Sequence, residues 1–205
     1  MRTWSRRDFA GGAALLALVV GAPIATLKLV ASGDDEAPTD RQRALLRDVS
    51  QLTLPRTATA GAGDIAVGDF VLMALAAGLD GSLVPVASAA APQFPRYLRR
   101  DGSIRHVPWL EEELDRHARG DFLARTAAER AGILRRVDAA TYAANAVASP
   151  WKQIKSLILI GYYTSQVGAS KELRYELVPG RYDNDLPLHP GDRAWSSDWT
   201  AVDFG

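Results

Sequence analysis

The helical character of this chain is clearest in one stretch, SPWKQIKSLILIGYYTSQVG, which spans residues 149–168. Ser149 and Pro150 are typical of a helix start, because a serine side chain caps free backbone N–H groups and proline fits the first turn. Large apolar side chains then recur on one side at helical spacing, namely Trp151, Ile154, Leu157, Ile158 and Tyr162. The stretch therefore predicts an amphipathic helix, with Gly168 as its C-terminal stop.

Four further helices are predicted on the N-terminal side of this stretch. Capping boxes begin two of them, T-x-x-Q at Thr39 and T-x-x-E at Thr126, where two side chains satisfy free backbone N–H groups. Another begins at Pro108, and the acidic residues after it suit the positive end of the helix dipole. The predicted helices cover residues 40–52, 65–78, 108–120 and 127 to Tyr142.

The rest of the chain lacks a sustained helical period. Prolines interrupt residues 79–108, which predicts a long loop with short helical turns, and Pro, Gly and Asp dominate after Pro179. Leu173, Tyr175 and Leu177 alternate with charged residues and predict a short extended stretch. The fold class is therefore predicted as mainly α. A small helical domain over 32–182 lies between an N-terminal segment, 1–31, and an irregular C-terminal arm, 183–205.

The N-terminal segment is similar to a twin-arginine export signal. Its motif consists of Ser5, Arg6, Arg7 and Phe9, and an uncharged apolar run follows. The run is close to the ~20 residues that cross a bilayer, so an uncleaved anchor remains an alternative. We expect a periplasmic protein exported by the twin-arginine translocase. Membrane association would come from an uncleaved signal or from a complex.

Composition excludes several classes of function. The whole chain has 24 Lys and Arg against 24 Asp and Glu, and without residues 1–31 the remainder is faintly acidic. A faintly acidic surface does not suit nucleic acid, so no nucleic-acid partner is expected. The chain has no cysteine, which excludes disulfides, iron–sulfur ligation and thiol catalysis.

No catalytic or cofactor motif is recognisable. The run GAGD at 61–64 lacks the third glycine of a dinucleotide loop, and there is no C-x-x-C-H for covalent haem. Pro108 separates His106 from His117, so both are predicted as surface or loop histidines. His189, Asp192 and Ser196 lack the elbow motif of a hydrolase. We expect no catalytic, cofactor-binding or metal-binding residue in this chain.

Aromatic residues are concentrated toward the C-terminus. Tyrosine and tryptophan are preferred anchors at protein interfaces, and the last segment has too little apolar sequence to form a core of its own. An arm that docks on another subunit is therefore predicted, and a tail folded back on its own helices is the alternative. The predicted interface residues are Tyr162, Tyr163, Tyr175, Tyr182, Trp195, Trp199 and Phe204.

The stretch WKQIKSLILIGYYTSQVGASKELRYELVPGRY, residues 151–182, resembles the signature of the gluconate 2-dehydrogenase subunit 3 family. That pattern combines G-Y-[FY]-T-S-x-x-G with an L-x-Y stretch and V-P-G-x-[FY]. The run LPRTATAGA at 54–62 is also similar, although Ala60 replaces the usual proline. The matching residues are Gly161, Tyr162, Tyr163, Thr164, Ser165, Gly168, Leu173, Tyr175, Val178, Pro179, Gly180 and Tyr182.

The resemblance implies a role inside a complex. Family members accompany a large flavoprotein of the glucose-methanol-choline oxidoreductase type, which carries FAD and oxidises a sugar or sugar acid. A multihaem cytochrome c, with haem c, often completes the complex. The small subunit is implied to be non-catalytic and to escort its partner through the translocase. The residues themselves leave a second interpretation open, a stand-alone periplasmic helical enzyme or binding protein with an unrecognised site.

Overall fold

A computed structural model of the protein describes residues 37–88, 90–144, 149–174, 187 and 189–195. Extended pairing in this part of the chain is limited to two isolated bridges, Leu98 with Ile104 and Arg174 with Trp195. The mainly α prediction is therefore confirmed for the described residues, whereas the predicted signal at 1–31 and most of the predicted arm lie outside them. The helices are α1 (Asp40–Thr53), α2 (Val67–Ala77), α3 (His106–Ala118), α4 (Ala127–Thr141) and α5 (Pro150–Tyr163).

The capping signals in the sequence are confirmed at three helix starts. Thr39 and Thr126 each accept a hydrogen bond from the backbone N–H three residues later, and the Gln and Glu side chains there complete both boxes. Ser149 caps α5, with Pro150 in its first turn. Gly78 ends α2 with φ 78, a left-handed conformation that glycine adopts without strain. These local signals place the helix ends to within about two residues.

Helix α3 begins two residues earlier than predicted. His106 is its first residue, so Pro108 is the third, where the backbone N–H that proline lacks has no partner inside the helix. The first turn holds no acidic residue, and the predicted dipole role of the acids is wrong. Instead Glu111 and Asp115, together with Asp121, form ion pairs with Arg41 of α1. The acids therefore hold α1 against α3.

Helix α5 ends at Tyr163, five residues before the predicted stop. The hydroxyls of Thr164 and Ser165 donate to the carbonyls of Ile160 and Tyr162, both at 2.6 Å. Such side-chain bonds compete with the backbone ladder and favour a helix end. Gly168 then begins a short π-helical turn, Gly168–Glu172, rather than stopping α5.

Helix α5 lies at the centre of the bundle and contacts the other four described helices. Its apolar side packs into a single core with α1 and α3. Burial of this side, at roughly 25 cal/mol per Å² of apolar surface, is the main force that holds the bundle together. The fully buried side chains include Trp151, Ile154, Leu157 and Ile158 of α5, Leu45, Leu46 and Val49 of α1, and Leu110 and Leu114 of α3.

The segment between α2 and α3 is a long loop with short helical turns, as predicted. Two 3₁₀ turns, Leu79–Gly81 and Ala91–Gln93, are its regular elements. Phe94 and Ile104 of this segment are buried in the core. The loop is therefore tied to the bundle by apolar contacts rather than by helix or strand.

Candidate partner interface

Two segments that are distant in sequence meet at one end of the bundle. The Tyr162 hydroxyl, at the end of α5, donates a 2.9 Å hydrogen bond to the Ala60 carbonyl. The Thr59 hydroxyl donates to Glu172 in the π-helical turn. We call the surface formed by residues 54–64, 161–165 and 168–172 the motif end. It unites the two sequence patterns noted above.

Glycines allow these segments to approach closely. A Cβ atom on Gly161 would lie 2.5 Å from the Phe70 ring, and one on Gly168 would lie 2.1 Å from the Tyr162 carbonyl oxygen. Both distances are far below van der Waals contact, so larger residues would displace their neighbours. The glycines of G-Y-Y-T-S-x-x-G are thus explained by packing.

The loop at 54–64 is held by its own side chains. Asp64 accepts from the Gly61 N–H at 2.8 Å and pairs with Arg56 at 2.8 Å. Gln51 of α1 accepts from the Gly63 N–H at 2.8 Å. The hydrogen bond from Arg56 lowers the pKa of Asp64, and that from Gly61 adds to the effect. The loop is therefore a fixed surface rather than a simple break between helices.

Three of the seven predicted interface residues lie in the described part of the chain. Tyr162 is only 4% exposed, so it supports the motif end from beneath. Tyr163 is exposed, and its ring meets that of Tyr162 edge-on at 5.3 Å. Four predicted interface residues lie outside the described residues, namely Tyr175, Tyr182, Trp199 and Phe204. So do the residues of the predicted export signal, Ser5, Arg6, Arg7 and Phe9.

Trp195 lies beside the π-helical turn. Its ring stacks on the Arg174 guanidinium at 4.6 Å, and the residue remains 41% exposed. The Arg174 N–H donates to the Ala194 carbonyl at 2.8 Å, and Arg193 donates to the Lys171 carbonyl at 2.9 Å. The described arm residues Arg193 to Trp195 therefore contact the helical domain of their own chain, and the Trp195 side chain stays partly exposed to solvent.

A comparison with protein families covers most of this architecture. The family model described as gluconate 2-dehydrogenase subunit 3 matches residues 40–180, which is more than half of the chain. The chain belongs to this family. The resemblance seen in the sequence is thereby confirmed, and the family is that of a subunit of a dehydrogenase complex. No curated protein and no solved structure matches the chain.

The sequence patterns did not identify Leu159 and Tyr142 as exposed apolar residues. Leu159 lies on the solvent side of α5, one turn before Tyr163, and Tyr142 follows α4 and is 52% exposed. The helical spacing of Leu159 and Tyr163 was readable in the sequence. The sequence identified Tyr142 only as a helix end. Its contacts with α5 arise from tertiary packing, which the sequence pattern does not show.

The subunit 3 chain also has a cleft of about 480 Å³ beside the start of α5. His106 lines it and is only 7% exposed, so the prediction of a surface or loop histidine is wrong there. Burial, assisted by the Arg99 charge, lowers the pKa of His106 to about 4. The apolar lining consists of Val84, Val86, Phe94, Ile104 and Pro150.

The two histidines of α3 do not share a metal. They are eleven residues apart on one helix, which is about 16 Å along its axis. Within the described ranges no three His, Asp or Glu side chains are grouped as metal ligands would be.

Of the helices that the structure describes, none has the length and apolar content to cross a membrane.

The burial of His106 predicts that the stability of the fold depends on pH. Because its pKa is near 4 in the folded chain and near 6.5 when unfolded, acid protonates the unfolded chain first. The contribution of neutral His106 to the free energy of unfolding is complete above pH ~6.5. Up to about 3 kcal/mol of this free energy is lost as the pH falls toward ~4. Denaturant unfolding of wild type and His106→Phe across this range measures the difference. Parallel pH dependence of the two proteins would contradict the prediction.

Proposed function

We propose that this chain is the non-catalytic small subunit and export escort of a periplasmic FAD-dependent dehydrogenase that oxidises a sugar or sugar acid. The family match over residues 40–180 is the observation that carries the proposal. It includes the motif end, where Gly161 and Gly168 lie too close to their neighbours to leave room for a Cβ atom. A subunit whose sequence has no flavin or haem motif needs a partner for oxidation chemistry.

The partner we propose is a large flavoprotein of the glucose-methanol-choline oxidoreductase type, which would supply FAD. A multihaem cytochrome c would form a third subunit and accept the electrons. The twin-arginine translocase would carry the folded pair, addressed by Arg6 and Arg7 of this chain. The exposed Tyr163 and Trp195 support an interface at the motif end, which Tyr175, Tyr182, Trp199 and Phe204 would extend.

Co-purification tests this proposal directly. A tagged copy of the chain, purified from its own host, is expected to retain a large flavoprotein and to release FAD on denaturation. Dye reduction with gluconate, glucose, fructose, sorbose and glycosides then identifies the substrate. A mock purification from the untagged host is the control. A preparation that contains this chain alone, with no flavin, would contradict the proposal.

A second candidate function rests on the cleft at His106. Its volume is in the range of small-molecule sites, and its apolar wall with a few polar groups is typical of them. In that case the chain would be a stand-alone periplasmic binding protein or enzyme. The same purification separates the two candidates, because a stand-alone protein would be recovered without a large subunit.

A further inference from the structure

Helix α5 presents an unusual face to solvent. Its core side consists of buried apolar residues, and the opposite side carries Lys152, Lys155, Leu159 and Tyr163. Their spacing of three, four and four residues places them in one stripe along the helix. Leu159 and Tyr163 are each 36% exposed. A solvent face normally carries mixed charges, so two large apolar residues there indicate a covered surface.

The charge on this face is also one-sided. No Asp or Glu occurs between residues 150 and 171, whereas each of the other four helices carries at least one. The acid beside the face is Asp138 of α4. It already accepts from Trp151 Nε1 at 2.8 Å and from Lys155 Nζ at 2.7 Å. No carboxylate in the described ranges forms an ion pair with Lys152.

Tyr142 extends the stripe at the α4 side. The Lys155 ammonium lies 4.8 Å from the centre of its ring, and that of Lys152 lies 6.0 Å away. Both distances fall within the range of cation–π attraction. The Tyr142 ring therefore attracts two lysine ammonium groups on this surface, while about half of the tyrosine remains exposed to solvent.

We propose that the stripe formed by Tyr142, Lys152, Lys155, Leu159 and Tyr163, the α5 face, is the surface on which the catalytic flavoprotein subunit docks. This inference rests on the proposed function. The partner surface that fits has an apolar centre for Leu159 and Tyr163 and carboxylates around it for the lysines. The α5 face is continuous with the motif end, because Tyr163 belongs to both.

A second copy of this chain fits the α5 face less well. A two-fold interface uses the same patch on both subunits, so the lysines of both copies would meet in one surface. Lys155 is already paired with Asp138, but no described acid pairs with Lys152, so the Lys152 charges of the two copies would oppose association. An acidic surface of a different subunit avoids this repulsion. Like-charge repulsion therefore disfavours a second copy, and the different subunit that the proposed function supplies is the flavoprotein.

Binding variants of the co-expressed complex test the α5 face. Leu159→Glu and Lys152→Glu are each expected to weaken retention of the flavoprotein about tenfold or more. Matched changes on the exposed part of α4, Ala128→Glu and Arg136→Glu, are expected to leave it unchanged. Circular dichroism checks that all four variants keep the helical content of wild type.

The outcomes separate this inference from the proposed function. If wild type retains the flavoprotein and the α5-face variants retain it equally well, the inference is wrong and the proposed function stands. If wild type retains no flavoprotein, both are overturned. A selective loss in the α5-face variants alone supports the inference.

Carbodiimide cross-linking gives a second test that does not depend on weakened binding. The reagent joins an amine to a carboxylate in direct contact as an amide, and the elements of water pass to the carbodiimide, which becomes a urea. We expect a Lys152 cross-link to an Asp or Glu of the flavoprotein. Lys152→Arg keeps the charge and is expected to keep the complex but lose that peptide. A Lys152 link only to a second copy of this chain would overturn the inference.

Discussion

Replacing both Arg6 and Arg7 by lysine is expected to abolish export of this chain and of the proposed flavoprotein partner together. Lysine keeps the positive charge but not the planar guanidinium that the twin-arginine route reads. If one signal serves two subunits, both should remain in the cytoplasm. Cell fractionation followed by dye-linked sugar oxidation in each fraction measures the effect.

The same conservative change outside the pair provides the control. Arg2→Lys also lies in the N-terminal segment and is expected to leave export intact. Partner activity that reached the periplasm at its normal level in the double variant would contradict the escort role. It would leave the family membership of the chain unaffected, because that rests on residues 40–180.

Gly168→Ala is expected to have the largest effect on stability. Its Cβ atom would lie 2.1 Å from the Tyr162 carbonyl oxygen and 3.0 Å from the Tyr163 Cα, both backbone atoms. Since a flexible side chain cannot relieve this overlap, the end of α5 or the π-helical turn must shift. Overpacking of this kind costs about 3 kcal/mol. Denaturant unfolding monitored by circular dichroism measures the loss.

Gly132→Ala makes the same chemical change where the structure has room. Gly132 lies inside α4, and the nearest atom to its added Cβ is 3.9 Å away on the Arg136 side chain. Alanine inside a helix loses less conformational entropy on folding, so this variant should gain about 0.5 to 1 kcal/mol. Equal stability changes in the two variants would mean that the close approach at Gly168 is not the cause.

The parts of the fold that the sequence predicted best are those with local causes. Both capping boxes and the Ser149–Pro150 start depend on residues within one turn, so their patterns suffice. The amphipathic character of α5 followed from the helical spacing of its apolar residues. Its end did not, because Thr164 and Ser165 compete with the backbone earlier than Gly168 could.

The remaining differences come from tertiary contacts. His106 is buried in a cleft that it lines together with Phe94 and Ile104 of the preceding loop, and no pattern around residue 106 contains that information. Likewise, the acids of α3 face Arg41, about 70 residues away in sequence. Burial lowers the pKa of Arg41, but the hydrogen bonds that Arg41 donates to Glu111, Asp121 and Asp115 outweigh this effect, so the pKa is raised.

In the candidate interface, too, some features followed from the sequence pattern and others depend on tertiary contacts. Tyr162 and Tyr163 were both predicted as interface residues, since adjacent tyrosines look alike in sequence. The hydrogen bond from Tyr162 to the Ala60 carbonyl makes one of them internal, while Tyr163 faces solvent. Leu159 was overlooked because a leucine in an apolar helix is expected in the core.

The two contacts that close the motif end impose an order of assembly during synthesis. Tyr162 and Ala60 are 102 residues apart in sequence, and Thr59 and Glu172 are 113 apart. The loop at 54–64 therefore leaves the ribosome long before its partners exist, and only local helices form at first. The motif end is completed when residue 172 has emerged. A prematurely terminated chain would lack this surface, so the N-terminal segment that we propose as a translocase address would be present without the surface that we propose for holding the cargo.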